Sequence, residues 1–395
     1  MIASIIDNSS IIKNISLCKD VNTTIECLRL CNILIFRKKE FLHIKGGSLT
    51  SPKSILNCKN SGSTVRMLLG LLCGQKIAAR FNGDNSLRSR PMNRIISPLK
   101  NMGIQIKSNN KKLPIMISPK QIKSTDYLEQ TTSAQVKSAI LFAALGSNDY
   151  SSVAFNKYTR DHTEKIMASL GFNVRINNNI KIKRSFINKG FTLTVPGDIS
   201  NAANIIAAAI LIPGSNVTIK NILYNKTRLG FIEVLSKMGA KIKISNISKE
   251  KNGEKTCDIN ALHSKNLKSI DLSGDTIIGM IDEIPIFCIV AVFADGISTI
   301  RDAKELRVKE SDRILAIYEN LKKMNADICQ TDDGLIIKGG NKLHYTSIKH
   351  YNDHRIAMSF EVLRLILGYE ISGEYKDIIR ISFPEFYEIF NRLLQ

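Results

Sequence analysis

Tryptophan is absent from the 395 residues of this chain, and aromatic side chains make up only 6% of them. The eight cysteines form no Cys-x-x-Cys pair and no Cys/His cluster at metal-ligand spacing, so the sequence predicts no structural metal site. The longest apolar runs, such as residues 285–294, are far shorter than the roughly 18 residues that a membrane-spanning helix needs. The N-terminus has no signal-peptide pattern, because Asp7-Asn8-Ser9 follows a short apolar start. We therefore expect a reduced, cytoplasmic protein.

Acidic residues are scarce relative to basic ones. Thirty-five Asp and Glu stand against 56 Lys and Arg, which gives a formal net charge of +21 and attracts anions of some kind. One class of protein with such a charge binds nucleic acid. The basic residues here are dispersed, however, and no basic run alternates with aromatic residues that could stack on bases. With 44% apolar residues, the chain is long enough for two domains with a core each.

A sequence segment that is typical of a helix, a tight turn and a strand recurs along the chain. In three copies the helix ends at Gly103, Gly171 and Gly239, which are 68 residues apart, and Asn32 and Asn325 close two further copies. Glycine and asparagine tolerate the left-handed conformation that ends a helix. The apolar alternation after each of them predicts a strand.

A second recurring segment alternates with the first and is predicted as an apolar helix that ends at glycine. Its copies are residues 63–74, 133–146, 200–214, 282–296 and 353–368. Helices that are apolar on nearly every side are expected to be buried, whereas the first set is amphipathic and should lie outside. Each unit is therefore predicted as strand, inner helix, strand, outer helix and two strands, with six units in two halves. Val195-Pro-Gly-Asp198 opens the fourth unit, so we place the domain boundary between residues 195 and 196.

The first unit is predicted to be incomplete. Met1-Ile-Ala-Ser-Ile-Ile6 matches only the last turns of an inner helix, so roughly 25 to 30 residues of that unit are expected to lie before Met1. A unit that is naturally short at the terminus is the alternative.

Several inner helices begin with residues that suit anion binding. The free N–H groups and the positive dipole of a helix start attract anions, and serine, glutamine or arginine adds directed donors. A run of alternating charge, residues 305–313, precedes an outer helix, and its Lys309 and Arg313 are predicted to share a helical face. Together with other short motifs, these features occur in eight stretches, which in chain order are Asn60-Ser-Gly-Ser-Thr-Val-Arg66, Arg90-Pro91, Ser133-Ala-Gln-Val-Lys-Ser138, Arg160-Asp-His-Thr-Glu164, Ile281-Asp-Glu-Ile-Pro285, Leu306-Arg-Val-Lys-Glu-Ser-Asp-Arg313, Asp353-His-Arg-Ile-Ala-Met358 and Ser382-Phe-Pro-Glu-Phe386.

With these motifs the chain resembles the EPSP synthase family of enolpyruvyl transferases from Met1 to Phe390. The resemblance implies an α/β fold of two domains, 1–195 and 196–395, each with three βαβαββ repeats in an inside-out α/β barrel that closes on its substrates. The implied reaction moves the enolpyruvyl group of phosphoenolpyruvate to the 5-hydroxyl of shikimate 3-phosphate and releases phosphate. It needs no metal or organic cofactor, and relatives are usually monomers. Arginine and lysine are required there because both substrates carry several negative charges.

The resemblance also assigns roles to residues. It implies that Asp282 accepts the proton of the 5-hydroxyl, that Glu310 exchanges a proton with the enolpyruvyl carbon, and that Lys309 helps to move the hydroxyl proton. His354 is expected to position substrate rather than act as the base. The implied contacts to phosphoenolpyruvate come from Gly62, Arg90, Arg313 and Arg355, and those to shikimate 3-phosphate from Ser133, Gln135 and Arg160.

Two alternatives remain within this family likeness. The sister enzymes act on UDP-N-acetylglucosamine, but the chain has no cysteine between residues 73 and 257, where those enzymes carry a reactive one. A decayed relative is the other alternative, because the Lys-Ser-x-Ser-x-Arg stretch of the family's first inner helix does not occur in the printed sequence. Losing two or three charged hydrogen bonds of about 1.5 to 3 kcal/mol each predicts an activity about a thousandfold lower.

Overall fold

A computed structural model of the chain describes residues 1–16, 18–38, 41–119, 121–129, 133–157, 159–250 and 252–394. The chain forms two compact units. Unit 1 consists of Met1–Val195 and Glu250–Glu254, and unit 2 consists of Pro196–Lys249 and Lys255–Gln395. Within the described ranges, no helix is both long enough and apolar enough to cross a bilayer.

Unit 1 contains six α-helices and twelve strands in the part of the chain that the structure describes. The helices are α1 (Lys19–Leu30), α2 (Gly62–Gly74), α3 (Asn85–Ser89), α4 (Asn93–Asn101), α5 (Ala134–Ala144) and α6 (His162–Ser169), with a 3-10 helix at Ile2–Ile5. The strands are β1 (Ser9–Lys13), β2 (Leu34–Lys38), β3 (Phe41–Lys45), β4 (Leu56–Asn57), β5 (Ala79–Asn82), β6 (Gln105–Asn109), β7 (Lys112–Ser118), β8 (Asp126–Glu129), β9 (Ser151–Phe155), β10 (Val174–Ile176), β11 (Asn179–Ile182) and β12 (Thr192–Thr194).

Three small sheets organise unit 1, with strand orders β12-β1-β3-β2, β4-β5-β7-β6 and β10-β11-β9-β8. Each sheet has one parallel pair, namely β1 with β12, β4 with β5 and β8 with β9, and its other pairs are antiparallel. A parallel pair needs a crossover connection. Helix α2 provides that crossover between β4 and β5, and α5 provides it between β8 and β9. The repeated segments of the sequence therefore fold into sheets of the same kind, each with one parallel pair of strands.

Helices α2 and α5 form the centre of unit 1. Nearly all residues of both helices are buried, as predicted for inner helices. They cross so closely at Gly70 that an added Cβ would lie 2.0 Å from the carbonyl oxygen of Ala139. Only glycine permits this approach, and it brings the N-terminal ends of α2 and α5 into one region of the unit.

Unit 2 continues the pattern. Its helices are α7 (Ile199–Leu211), α8 (Gly230–Lys237), α9 (Asp275–Met280), α10 (Ile284–Ala291), α11 (Arg313–Lys323), α12 (His354–Ile366), α13 (Lys376–Ile379) and α14 (Phe386–Leu393), with 3-10 turns at Lys226–Arg228 and Lys304–Val308. Its strands are β13 (Asn216–Tyr224), β14 (Lys241–Ser245), β15 (Lys255–Leu262), β16 (Asp271–Leu272), β17 (Ile297–Ile300), β18 (Asp327–Gln330) and β19 (Leu335–Lys338). They form two sheets, β13-β15-β14 and β16-β17-β19-β18.

The buried inner helices of unit 2 are α7, α10 and α12, which pack against one another in a single apolar core. The predicted helix closures are confirmed, because Gly103, Gly171 and Gly239 have φ between 85° and 92° and Asn32 and Asn325 have φ of 68° and 73°. The predicted α/β class with repeated units is also confirmed.

Two details differ from the sequence prediction. The inner helix predicted from Asp282 begins at Ile284, and Asp282 lies in a turn between α9 and α10. The sixth repeat has no strand after β19 in the ranges that the structure describes. Residues 368–374, which follow α12, contain two glycines and two glutamates, and both residue types are poor strand formers.

Candidate functional site

The first cluster of predicted site residues lies in unit 1, at the start of α2. Ser61 caps this helix, with its hydroxyl accepting a hydrogen bond from the N–H of Thr64 at 3.2 Å. Gly62 is the first helical residue, and an added Cβ would lie 2.9 Å from Nη1 of Arg66 and 3.4 Å from Nη1 of Arg90. Glycine therefore leaves room for two guanidinium groups against the backbone of a helix start, where anions bind well.

Hydrogen bonds to neutral oxygens orient both guanidinium groups. Arg66 donates from Nη1 to Oε1 of Gln135 at 2.7 Å, and the amide nitrogen of Gln135 donates to the hydroxyl of Ser63 at 2.8 Å. Arg90 donates from Nη2 to Oδ1 of Asn60 at 2.8 Å. These bonds fix the two arginines, and they do not cancel a positive charge as a carboxylate partner does.

Ser133 and Arg160 stand at the starts of α5 and α6. Ser133 is the buried N-cap of α5 and makes no side-chain cap bond, while Arg160 directly precedes Asp161, the N-cap of α6. One turn further along, Lys137 Nζ lies 2.5 Å from Glu164 Oε1, and both side chains are only 2% exposed. This buried ion pair holds together the two helices that carry Ser133 and Arg160.

The second cluster lies in unit 2 and has Arg313 as its centre. Arg313 is the first residue of α11 and its side chain is 1% exposed. It donates from Nε to Oδ2 of Asp353 at 2.8 Å and from Nη2 to Oε2 of Glu310 at 2.7 Å. A longer bond of 3.4 Å joins Nη1 to Oδ1 of Asp282. One guanidinium group thus gathers carboxylates from three separate sequence motifs.

The charges of this cluster shift the pKa of Arg313 and of Asp353. Burial by itself lowers the pKa of Arg313, but the charges of Asp353, Glu310 and Asp282 raise it above the usual range. Burial likewise favours a higher pKa for Asp353, but Arg313 and then His354 hold the pKa of this carboxyl well below its usual range. Both groups are therefore ionised at neutral pH.

Asp353 also organises the start of α12. Its Oδ1 accepts a hydrogen bond from the N–H of Arg355 at 2.9 Å and caps the helix. Burial, followed by the charge of Arg355, lowers the pKa of His354 to about 4, so its imidazole is neutral at pH 7. Arg355 donates from Nη1 to the backbone carbonyl of Asp282 at 3.2 Å, and its Nη2 lies 3.7 Å from Oδ2 of Asp282.

Lys309 is placed differently from the prediction. The 3-10 turn before it ends at Val308, and α11 begins only at Arg313, so Lys309 and Arg313 do not share a helical face and that prediction is wrong. The hydrogen bond that the structure gives Lys309 runs from Nζ to Oε1 of Glu305 at 3.2 Å. Residues 309–312 separate the turn from α11, and Asp312 caps the helix by accepting a hydrogen bond from the N–H of Leu315.

One group of described side chains has metal-ligand character. Asp161, His162 and Glu254 of unit 1 place their ligand atoms within 4.8 Å of one another. These side chains already have partners, since His162 Nδ1 lies 2.5 Å from Glu254 and Asp161 pairs with Lys165 at 2.8 Å. These contacts account for the group, so it carries no metal assignment.

The sequence prediction missed four residues beside these clusters. Arg66 belonged to a quoted motif but received no role. Ser200, Arg228 and Glu283 form a buried group next to Asp282, with Arg228 Nη2 donating to the hydroxyl of Ser200 at 2.5 Å. Their positions in sequence are far apart, so spacing gives no sign that they meet. The neighbouring acidic pair Asp282-Glu283 was the available signal.

Comparison with known proteins gives a consistent result. The family model described as EPSP synthase (3-phosphoshikimate 1-carboxyvinyltransferase) matches residues 1–390. The chain is 40% identical to the 3-phosphoshikimate 1-carboxyvinyltransferase of Persephonella marina and 42% identical to that of Thermodesulfovibrio yellowstonii, covering all of this chain and 93% of each relative. A solved EPSP synthase from Acinetobacter baumannii superposes with a TM-score of 0.85 at 35% identity, covering 99% of this chain and 91% of that one.

Proposed function

The chain belongs to the EPSP synthase family, and from this premise we propose that it transfers the enolpyruvyl group of phosphoenolpyruvate to the 5-hydroxyl of shikimate 3-phosphate. A bond forms between the 5-oxygen and C2 of the donor, the donor methylene gains a proton, and the 5-hydroxyl loses one. Loss of phosphate and of a methyl proton then regenerates the double bond. The observation that carries the proposal is the convergence of Asp282 and Glu310 on Arg313, because this chemistry needs acid and base beside a fixed cation.

We assign Asp282 as the base for the 5-hydroxyl and Glu310 as the group that exchanges a proton with the methylene carbon. What supports the pair is that both carboxylates are partly exposed, at 14% and 26%, while the guanidinium between them is buried. Each carboxylate therefore contacts the cation and still has a face open to a ligand. Lys309 retains the assigned role of assisting the hydroxyl proton, and its contact with Glu305 is partly exposed.

Arg313 must exchange a partner in order to bind an anionic donor. Its contact with Asp282, at 3.4 Å, is longer than those with Glu310 and Asp353, at 2.7 and 2.8 Å, and is therefore the weakest. We propose that phosphoenolpyruvate replaces Asp282 on Nη1 of Arg313. The exchange releases part of the charge pairing of Asp282 at the moment when it is needed as a base. Arg355 is assigned to the same donor, because its guanidinium reaches the Asp282 turn.

The unit 1 residues receive binding roles. Gly62 and Arg90 are assigned to phosphoenolpyruvate, supported by the close approach of the Arg90 guanidinium to the start of α2. Ser133, Gln135 and Arg160 are assigned to shikimate 3-phosphate, supported by their place at the starts of two helices joined by a buried ion pair. Helix starts with added hydroxyl, amide and guanidinium donors suit a phosphate monoester. His354, neutral at pH 7, is assigned to positioning.

The test is to incubate the purified chain at high concentration with phosphoenolpyruvate and either shikimate 3-phosphate or UDP-N-acetylglucosamine, and to follow the products by phosphorus NMR. With phosphoenolpyruvate and shikimate 3-phosphate, we expect enolpyruvyl product and an equal amount of inorganic phosphate. With phosphoenolpyruvate and UDP-N-acetylglucosamine, we expect neither. The ratio of the product amounts formed with the two acceptors does not depend on how fast the chain works. Product with UDP-N-acetylglucosamine alone, or no binding of shikimate 3-phosphate, would overturn the proposal.

Asp282→Asn tests the assigned base. Its turnover is expected to fall by about 10² to 10⁴, the typical contribution of a general base, with KM values changed only slightly. The matched control is Asp295→Asn, which removes a carboxylate from the exposed Lys268–Asp295 pair of the same unit. Equal turnover in the two variants would remove Asp282 from the base role.

A further inference from the structure

Asp282 lies in a short turn, and the next residue of that turn, Glu283, contacts a different set of side chains. Residues 281–283 join α9 to α10, and the N–H of Glu283 bonds to the carbonyl of Met280 at 2.9 Å. Asp282 directs its side chain to Arg313 and Arg355. The adjacent Glu283 has other partners and a side chain that is only 1% exposed.

Glu283 belongs to a buried polar group of three side chains. Its Oε1 accepts a short hydrogen bond from the hydroxyl of Ser200 and lies 3.5 Å from Nη2 of Arg228. The same Nη2 donates to the Ser200 hydroxyl at 2.5 Å, so Ser200 bridges the two charges. Ser200 lies in the first turn of α7, and Arg228 ends the 3-10 turn before α8. The turn that carries Asp282 is therefore tied to two other elements of unit 2.

Core stability does not account for this group. A buried ion pair contributes little net stability, because removing both charges from water offsets most of their attraction. Moreover, Oε2 of Glu283 is buried and has no hydrogen-bond partner among the described residues, which costs free energy. Replacing a buried ion pair with apolar side chains of similar volume is often neutral or stabilising. The group does, however, tie the turn to α7 and to the 3-10 turn before α8 in the observed conformation, since Glu283 contacts both Ser200 and Arg228 there.

We infer that Glu283, held by Ser200 and Arg228, is a positioning residue that fixes the Asp282 carboxylate for proton transfer. The inference rests on the proposed function, because it concerns the base of that reaction. Glu283 does not touch substrate and acts through the backbone of the turn. A displacement of about 1 Å at a reacting group can lower a rate about 100-fold, so a loosened turn should be visible in turnover.

The experiment compares Glu283→Gln with Glu361→Gln. Glu361 is a fully buried glutamate of the same unit that accepts hydrogen bonds from Ser372, and it lies about two turns beyond Arg355 on α12. Both variants replace one buried carboxyl group with an amide and keep the side-chain length. We expect Glu283→Gln to lower kcat about 10- to 100-fold with KM for both substrates within about threefold. Glu361→Gln should retain kcat within about threefold at a similar loss of melting temperature.

A second comparison separates positioning from a general loss of stability. If Glu283 acts through Asp282, then Asp282→Asn/Glu283→Gln should be no slower than Asp282→Asn alone. Arg228→Lys keeps the charge but loses the planar fork, and it should reproduce the kcat loss in part. Should Glu283→Gln fail to fold by circular dichroism, Ser200→Ala carries the same test, because it removes only the bridging hydroxyl.

The outcomes are distinct. Product formation by the unaltered chain, together with an Asp282-dependent loss of kcat in the Glu283 and Ser200 variants, supports the inference. The inference is overturned if the unaltered chain forms product and Glu283→Gln and Glu361→Gln have equal kcat. It is also overturned if adding Glu283→Gln to Asp282→Asn lowers kcat by the same factor as Glu283→Gln does alone. An unaltered chain that neither forms product nor binds shikimate 3-phosphate overturns the proposed function, and the inference with it.

Discussion

Nε of Arg313 donates a 2.8 Å hydrogen bond to Oδ2 of Asp353, and the two side chains are 1% and 0% exposed. The pair joins the first residue of α11 to the N-cap of α12. Because each partner is buried, neither can turn to water when the other is removed. The two helix starts therefore depend on each other, and so do the residues that follow them, including His354 and Arg355.

Arg313→Met is expected to lower the free energy of unfolding by about 3 to 5 kcal/mol, because it leaves the buried Asp353 carboxylate without its charge partner. Urea denaturation measures this change. The control is Lys268→Met, whose pair with Asp295 is more than half exposed and should contribute at most about 1 kcal/mol. The double variant Arg313→Met/Asp353→Asn should recover part of the loss. A single variant as stable as the control would contradict the prediction.

His354 should remain neutral far below neutral pH. Its pKa in the folded chain is about 4, against 6.5 for an ordinary histidine, since burial and then Arg355 disfavour the imidazolium ion. The unfolded chain therefore binds a proton first as the pH falls. This group's contribution to stability is complete above about pH 6.5 and is lost as the pH falls from there towards 4.

Nitrogen NMR shifts of labelled His354 measure this titration directly. Phosphoenolpyruvate is expected to raise the midpoint, because its negative charges offset those of the neighbouring arginines. His354→Gln, compared by denaturation at pH 7 and pH 5, supplies the control, and it should lose less stability on acidification than the unaltered chain does. A midpoint near 6.5 without ligand would show that the imidazole is not held neutral.

The buried pair of Lys137 and Glu164 predicts an unusual pH response. Burial raises the pKa of Glu164 even though Lys137 opposes the shift. In Lys137→Met that opposition is gone, and the folded chain retains a proton on Glu164 that the unfolded chain has released. Stability of the variant should then be highest at acidic pH and fall as the pH rises above about 4.5. At pH 7 the expected loss is about 3 to 5 kcal/mol.

Denaturation of Lys137→Met at pH 4.5 and pH 7 tests that response, with Lys137→Met/Glu164→Gln as the variant that should abolish it. Lys165→Met is the matched control, because its pair with Asp161 is also a lysine–carboxylate contact of α6 but is 24% to 37% exposed. Equal stability of Lys137→Met at both pH values would mean that Glu164 is not kept protonated by burial.

The repeat pattern predicted much of the fold because helix ends and helix burial depend on residues that are close in the sequence. Gly103 and Asn325 close their helices in the left-handed conformation that their side chains allow, and the helix from Gly62 is buried because its residues are apolar all round. Such features need only a window of neighbouring residues. The sequence therefore predicts the inner and outer helices without knowledge of long-range contacts.

The site was harder to predict because its geometry depends on contacts between distant residues. Ser200 and Glu283 are 83 positions apart, and nothing near either residue indicates their hydrogen bond. Lys309 was misplaced because its spacing of four residues from Arg313 suits one helical face, whereas the chain forms a 3-10 turn and α11 begins only after the Asp312 cap. Segment Glu250–Glu254 belongs to unit 1 although its sequence neighbours belong to unit 2, and no sequence pattern marks this.

Gly62→Ala tests the close approach of arginine to a helix start. The new methyl group would lie 2.9 Å from Nη1 of Arg66 and 3.4 Å from Nη1 of Arg90, so at least the first guanidinium must move. Since Arg90 is assigned to phosphoenolpyruvate, we expect KM for this substrate to rise about tenfold or more, while KM for shikimate 3-phosphate changes less. The melting temperature should fall little, because the methyl group meets the ends of flexible side chains. Gly279→Ala is the control, because its nearest neighbour would be an ordinary contact at 3.7 Å and it should alter neither constant. An unchanged KM for phosphoenolpyruvate in Gly62→Ala would place the donor elsewhere and remove Arg90 from its binding.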